Sequence, residues 1–232
     1  MSYIAGQELH EIIKAGIITG LPENVNACSI DLRLGDEIKV EIPPEMGDLP
    51  EVVDLSAKAW QNFETIKLGE EGFIVKPGQF FLGHTVEMYN LPDDISSEFV
   101  LRSSIARSGL NHMLAGFGEA GFNNAQLTLE FHNCNQYHSV LIKPGMRIGQ
   151  VKLFRHADTG DLSYAKVGSY NNQRGATTGF GNGAHTDVMG GSRLEWLTVI
   201  HEGFKPTPVD VGAEYIPHRA EELPEGLISN EE

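Results

Sequence analysis

The chain has 232 residues, 41% of them hydrophobic, which is enough to bury a sizeable core in one large domain or two small ones. Its formal net charge of −15 argues against nucleic-acid and anionic-membrane partners, because binding either one needs a basic face. No apolar run is long enough for a membrane helix, and no secretory signal is evident. The two cysteines, Cys28 and Cys134, cannot build a disulfide framework. We therefore expect a cytoplasmic protein.

The first predicted element is a helix within residues 6–15. Leu9, Ile12 and Ile13 have a helical spacing there, and Gly16 and Gly20 follow as helix-ending residues.

Short β-strands are predicted after this helix. Segment 27–40 alternates Ile30, Leu32 and Leu34 with polar residues, which is typical of a half-buried strand. Six more apolar runs follow between residues 72 and 154, separated by turn sequences such as KPG and NLPDD: FIV, FFLGHTVEMY, SSEFVLR, AQLTLEFHN, HSVLI and RIGQVKLF. This succession of short strands predicts a sandwich, a jelly roll or a barrel.

The composition changes after Gly175. Glycine-rich stretches follow, then one more possible strand at residues 195–200, and finally an acidic segment at 210–232. We interpret the acidic segment as solvated and without a role in chemistry.

A first candidate site is the polar cluster LRSSIARSGL at residues 101–110. Its two arginines and three serines suit an anion, because one guanidinium group can donate two parallel hydrogen bonds to phosphate oxygens and hydroxyl groups add further hydrogen bonds. A polar turn with a capped helical stub would have the same composition. The residues alone leave both interpretations open.

Two further candidates follow in the chain. The loop AGFGEAGF at 115–122 has three glycines that let its backbone approach a ligand, although plain turns have the same composition. Glu130 shares a strand face with Thr128 and His132, opposite Leu127 and Leu129. That face is either exposed to water or part of a pocket, where desolvation would favour the protonated carboxyl and suit it to proton transfer.

The order and spacing of these three segments resemble the dCTP deaminases of the dUTPase-like superfamily. Members of that family read RSSLARLGL, then a TAGFIDPGF-like loop, then LE(F/L)xN. The segments SIDLRLGDEI, KPGMRIGQVKLF and YNNQRGA extend the resemblance over roughly residues 27–176. The resemblance is more specific for the superfamily than for its deaminase branch.

This resemblance implies a fold and an assembly. The fold would be all-β, a distorted jelly-roll or β-barrel of dUTPase-like type with a short N-terminal helix. Residues 1–22 would form the helical segment, 23–180 the catalytic domain and 181–232 a C-terminal extension. Similar proteins are homotrimers with active sites at subunit interfaces.

The resemblance also implies catalytic roles. Glu130 matches a glutamate that shuttles protons, and Ser103 matches a serine that holds the attacking water or the 4-amino group. Arg107 matches an arginine beside the glutamate. Folding should therefore bring the Glu130 carboxyl close to the Ser103 hydroxyl, in a cleft that Arg102 and Arg107 also reach.

Substrate-binding roles follow in the same way. Arg102 and Ser104 match residues that contact the triphosphate, commonly from a neighbouring subunit. Ala115 matches an alanine whose carbonyl positions the water, and Tyr170 and Gln173 belong to the segment similar to KYxxQxG. Mg²⁺ would bind through the substrate phosphates, with no protein metal ligands assigned. The motif of the zinc deaminases is absent from the sequence.

Two departures from the family keep alternatives open. The loop reads Glu119-Ala120-Gly121 where the family reads D-P-G, and Ser169 stands in place of a lysine. An aspartate in the equivalent dUTPase loop activates water for phosphate hydrolysis, and Glu119 keeps a carboxylate there. We favour deamination of dCTP to dUTP and ammonia, with a diphosphatase, a bifunctional enzyme or a non-catalytic nucleotide-binding trimer as alternatives.

Overall fold

The computed structural model describes residues 2–43, 53 and 61–178. The helices within these residues are α1 (Gln7–Lys14), α2 (Ser103–Ala106) and α3 (Tyr164–Val167). The strands are β1 (Ser2–Tyr3), β2 (Ile30–Arg33), β3 (Glu37–Glu41), β4 (Phe63–Lys67), β5 (Phe73–Val75), β6 (Phe80–Asn90), β7 (Ile95–Leu101), β8 (Leu110–His112), β9 (Phe117–Gly118), β10 (Asn123–Asn133), β11 (Val140–Ile142) and β12 (Arg147–Arg155).

The strands form two larger antiparallel sheets and one small one. The first sheet has the order β1-β12-β7-β9, with β2 also paired to β12, and the second has the order β4-β3-β6-β10-β8. Strands β11 and β5 form a separate pair. The prediction of an all-β fold with a short N-terminal helix is confirmed, and the sheets are open rather than closed into a continuous barrel.

Helix α1 confirms the first predicted element. It begins after Gly6, whose φ of 59° is a left-handed conformation suited to glycine, and the chain turns away at Gly16, with φ 71°. Leu9 and Ile12 on its inner face are buried in the core.

The single strand predicted over residues 27–40 is two strands in the structure. Strand β2 belongs to the first sheet and β3 to the second, and the chain crosses between them at residues 34–36. Gly35 allows this crossing, because a Cβ atom there would overlap the ring of His84. The Gly35 backbone N–H also donates to the His84 carbonyl at 2.7 Å.

Strand β10 has the predicted alternation. Leu127, Leu129 and Phe131 are buried, whereas Thr128 and Glu130 between them are partly exposed. Phe131 stacks on Phe81 of the neighbouring strand β6 with ring centroids 5.1 Å apart. One face of β10 therefore closes the core and leaves the other face available for a site.

Some predictions concern residues outside those that the structure describes. The strand at 195–200, the acidic segment at 210–232 and the extension at 181–232 lie outside the described residues, and the domain boundaries stay a prediction. Among the helices of the described residues, none has the length and apolar character needed to span a membrane.

We expect Phe131→Ala to lower the free energy of unfolding by about 3–5 kcal/mol, because it removes a fully buried ring and leaves a cavity against Phe81. His132→Ala, one residue along on the opposite face of β10, is the matched control and should change stability by about 0.5 kcal/mol or less. Urea unfolding at one protein concentration measures both values. Equal losses in the two variants would contradict the assignment of the two faces.

Candidate active site

The exposed face of β10 forms one wall of a cleft with a volume of about 270 Å³. The loop at residues 115–122 and the segment at 164–178 supply the remaining lining. The cleft is lined by Ala115, Phe117, Gly118, Glu119, Phe122, Leu127, Thr128, Glu130, Tyr164, Tyr170, Gln173, Thr177 and Thr178. This volume lies just below the range of about 300–1,000 Å³ that is common for ligand pockets.

Glu130 presents a carboxyl group to this cleft. Its side chain is 27% exposed, yet its Oε2 atom is buried and lies 3.4 Å from His112 Nε2. Neither atom has a hydrogen-bond partner among the described residues. Since Oε2 is buried, the exposed part of the carboxyl is the part that can meet a ligand.

His112 is a residue that the sequence analysis missed. It ends strand β8, is 3% exposed, and its ring packs against Phe99 and Phe131 at centroid distances of 4.8 and 5.7 Å. The available signal was a histidine in a short apolar strand between two of the motifs. Such a histidine is indistinguishable from a core residue until its distance to Glu130 is known.

The loop before β10 reaches the cleft through a strained turn. Leu114 has φ 64°, an uncommon conformation for a bulky residue, and Ala115 follows it on the cleft wall. Gly116 permits a close approach to strand β7, because a Cβ there would lie 2.8 Å from the Phe99 carbonyl oxygen. The loop then brings the exposed Glu119 to the edge of the cleft.

The segment at 171–177 is fastened along β10. Gln173 Nε2 donates to the Gln126 carbonyl at 2.5 Å, and the backbone N–H of Gly175 donates to Gln126 Oε1 at 2.8 Å. The backbone N–H of Thr177 donates to Thr128 Oγ1 at 3.1 Å. Gln173 therefore lines the cleft, and its amide nitrogen also holds the segment in place.

Tyr164 joins this segment to the cleft. Burial raises the pKa of its phenol. Hydrogen bonds with the backbone of Tyr170 and Ser169 lower this pKa in part, and the charges of Tyr170 and Glu119 raise it by smaller amounts. The phenol oxygen accepts the Tyr170 backbone N–H at 3.1 Å. The phenol of Tyr164 therefore stays protonated to a higher pH than that of an exposed tyrosine.

The arginine and serine cluster lies outside the lining of this cleft. Ser103, Ser104 and Arg107 are exposed on or beside α2, and Arg102 Nη1 instead contacts the buried Asp31 Oδ2 at 2.5 Å. None of these cluster residues lines the cleft within the described part of one chain. The expected proximity of Glu130 to Ser103 therefore stays a prediction.

Arg102 contacts Asp31 of the first sheet, whereas Glu130 belongs to the second sheet. The helical stub that was the alternative for this cluster does form, as α2. Its N-cap is Arg102 without a side-chain cap bond, so no serine caps it.

Comparison with known proteins decides the family. Residues 3–156 match the dCTP deaminase-like family, which is more than half of the chain. The chain belongs to the dCTP deaminase-like family. A "dCTP deaminase, dUMP-forming" of Sulfurihydrogenibium sp. (strain YO3AOP1) is 38% identical over 154 residues, 66% of this chain and 81% of that protein. One of Dictyoglomus turgidum is 36% identical over 170 residues, covering 67% and 79%.

A solved structure agrees with the dCTP deaminase-like fold. The 2′-deoxycytidine 5′-triphosphate deaminase of Agrobacterium tumefaciens superposes with a TM-score of 0.51 at 18% identity. The superposition covers 65% of this chain and 47% of that one. The family match ends at residue 156, so Tyr164, Tyr170 and Gln173 of the cleft lie beyond it.

Proposed function

We propose that this protein is a hydrolytic dCTP deaminase whose end product is dUMP. The observation that carries the proposal is the carboxyl of Glu130, which lines the cleft with one oxygen against His112. Membership of the dCTP deaminase-like family and the names of the two relatives support the same chemistry.

The product differs from our expectation. The sequence favoured dUTP, but both relatives are named dUMP-forming, which corrects the product in favour of the bifunctional alternative. The proposed reaction consumes dCTP and two water molecules and gives dUMP, ammonia and pyrophosphate. Glu119 on the cleft edge is the carboxylate that we assign to the phosphate hydrolysis.

Glu130 would serve as base and then as acid. Its carboxylate takes a proton from a water molecule as the oxygen of that water bonds to C4 of cytosine and the π electrons of the C4=N3 bond move to N3. The carboxyl then gives this proton to the 4-amino group, the C4–N4 bond breaks with its electron pair going to N4, and ammonia leaves as the N3 electron pair re-forms the C4=N3 bond. The proton that remains on the new hydroxyl group shifts to N3, which gives uracil. One carboxyl group does both steps because each returns it to the form that the other needs.

A second copy of the chain would complete the site. Four residues with implied roles are absent from the cleft of one chain. They are Ser103, which would hold the water, Arg107, which would lie beside the glutamate, and Arg102 and Ser104, which would contact the triphosphate. They lie on an exposed surface that a neighbouring chain could present to it. We therefore propose a homotrimer in which each site combines the Glu130 cleft of one chain with the serine and arginine cluster of the next.

Mg²⁺ fits this site as an ion carried by the substrate. Groups of three or more side chains able to ligate a metal are absent from the described residues. Mg²⁺ usually binds through phosphates with one or two carboxylates and several waters. When bound it would neutralise part of the triphosphate charge, and the residues of this chain perform the proton transfers.

We expect Glu130→Gln to lower ammonia release from dCTP by about 10³-fold or more, because the amide cannot take a proton from water. Pyrophosphate release from dUTP should persist, since Glu119 remains. Ammonia and pyrophosphate assays with Mg²⁺ measure both activities. Glu98→Gln, on β7 outside the cleft, is the control and should keep both.

The same assays separate the alternatives. Pyrophosphate without ammonia from the unmodified protein would favour a diphosphatase, and neither product with nucleotide still bound would favour the non-catalytic trimer. Ammonia release by Glu130→Gln at the normal rate would refute the proton-transfer role.

Mixing two inactive variants tests the shared site. We expect Glu130→Gln and Ser103→Ala to be inactive separately, and a mixture refolded at equal amounts to recover about a quarter of the unmodified activity, because random assembly restores some intact interfaces. Size-exclusion chromatography checks the oligomer. A mixture that stays inactive although mixed oligomers form would place both residues in the same chain's site.

His112 is proposed as the residue that positions Glu130. We expect His112→Phe to keep the packing against Phe99 but to lower kcat for deamination by about 100-fold, since small displacements of a catalytic group have costs of this size. KM for dCTP should change little. His112→Gln, whose amide can occupy the place of Nε2, should recover part of kcat, and equal losses in both variants would indicate a packing role alone.

A further inference from the structure

A second polar cluster lies around Asp31 on the first sheet, outside the cleft. Asp31 is 2% exposed and its two oxygens accept four side-chain donors. Oδ1 accepts from Asn26 and Gln150 at 3.0 and 3.1 Å, and Oδ2 accepts from Arg102 and Arg147 at 2.5 and 3.4 Å. One buried carboxylate therefore holds two guanidinium groups side by side.

The charges of this cluster do not cancel. Asp31 carries one negative charge, whereas Arg102 and Arg147 carry two positive charges, which leaves an excess of one. Arg33, the register partner of Arg147, adds nothing because its guanidinium is paired with the buried Glu87 at 2.7 Å. In a chain of net charge −15, such a local positive excess is a place where an anion can bind.

The two guanidinium groups also reach solvent. The side chain of Arg102 is 30% exposed and that of Arg147 is 53% exposed. The backbone N–H of Arg102 donates to the Ile148 carbonyl at 3.2 Å, which fixes the start of α2 beside Arg147. Ser103 and Ser104 follow on the same exposed turn.

From this geometry we infer that Arg147 is a second polyphosphate-binding arginine, paired with Arg102 by their shared carboxylate. The inference rests on the proposed function, to which it adds a residue for the phosphates of the nucleotide. The 2.5 Å contact with Asp31 orients the Arg102 guanidinium beside that of Arg147, so less side-chain freedom of Arg102 is lost when a phosphate binds both groups. A triphosphate with its several charges needs more than one such partner.

Arg147 is not needed to satisfy Asp31. Its contact is the longest of the four, and the other three donors remain when it is removed. We therefore expect the folded protein to tolerate its replacement, which makes a binding test feasible.

The test compares Arg147→Gln with Arg155→Gln. Arg155 lies at the other end of β12, is 41% exposed and also has carboxylate partners, Glu8 and Asp94. Titration calorimetry with inorganic tripolyphosphate and with dCTP, each with Mg²⁺, gives Kd, and thermal unfolding gives Tm. We expect Arg147→Gln to raise both Kd values about tenfold with Tm nearly unchanged, and Arg155→Gln to leave both Kd values unchanged.

A third variant and three decisive outcomes complete the experiment. Arg147→Lys keeps the charge without the planar fork and should fall between the unmodified protein and Arg147→Gln. Unchanged tripolyphosphate affinity in Arg147→Gln, or equal weakening in Arg155→Gln, would overturn the inference. Weaker tripolyphosphate binding in a protein that releases no ammonia would overturn the proposed reaction and leave the polyphosphate site standing.

Discussion

The alternation of side chains along β10 is the constraint on which the rest of the molecule depends. An eleven-residue strand between β6 and β8 must direct successive side chains to opposite faces. Leu129 and Phe131 close the core, so Glu130 between them must face the cleft. The same strand also holds residues 173–177 through the backbone and side chain of Gln126 and the hydroxyl of Thr128. A shift of one residue in register would remove the carboxyl and the cleft wall together.

Each of the two larger sheets has a carboxyl group with a different proposed role. Glu130 on the second sheet has a buried oxygen beside a histidine and an open cleft in front of it. Asp31 on the first sheet has both oxygens occupied, so it serves as an anchor for Arg102 and Arg147 rather than as a reactive group. In this proposal, proton transfer and phosphate binding lie on separate surfaces of one chain, which the proposed trimer would bring together.

The residues that depart from the family pattern have defined contacts in the structure. Ala120, which replaces the proline of the D-P-G loop, is 3% exposed, and its carbonyl accepts the backbone N–H of Tyr164 at 2.9 Å. The loop that carries Glu119 is therefore held by α3. Nothing in the structure explains why Ser169 replaces the lysine of the family. Arg174, in the same segment, donates from Nη2 to Asn124 Oδ1 at 2.7 Å.

The sequence by itself determined the all-β fold, helix α1, the face of Glu130 and the family, because these follow from local periodicity and from the order of short motifs. Only the tertiary structure decided that Ala115, Glu119, Tyr170 and Gln173 share one cleft with Glu130 while Arg102 and Ser103 do not. It also revealed His112 and the arginine pair on Asp31. These contacts join residues far apart in sequence, and their distances depend on how two sheets pack, which no local pattern of residues encodes.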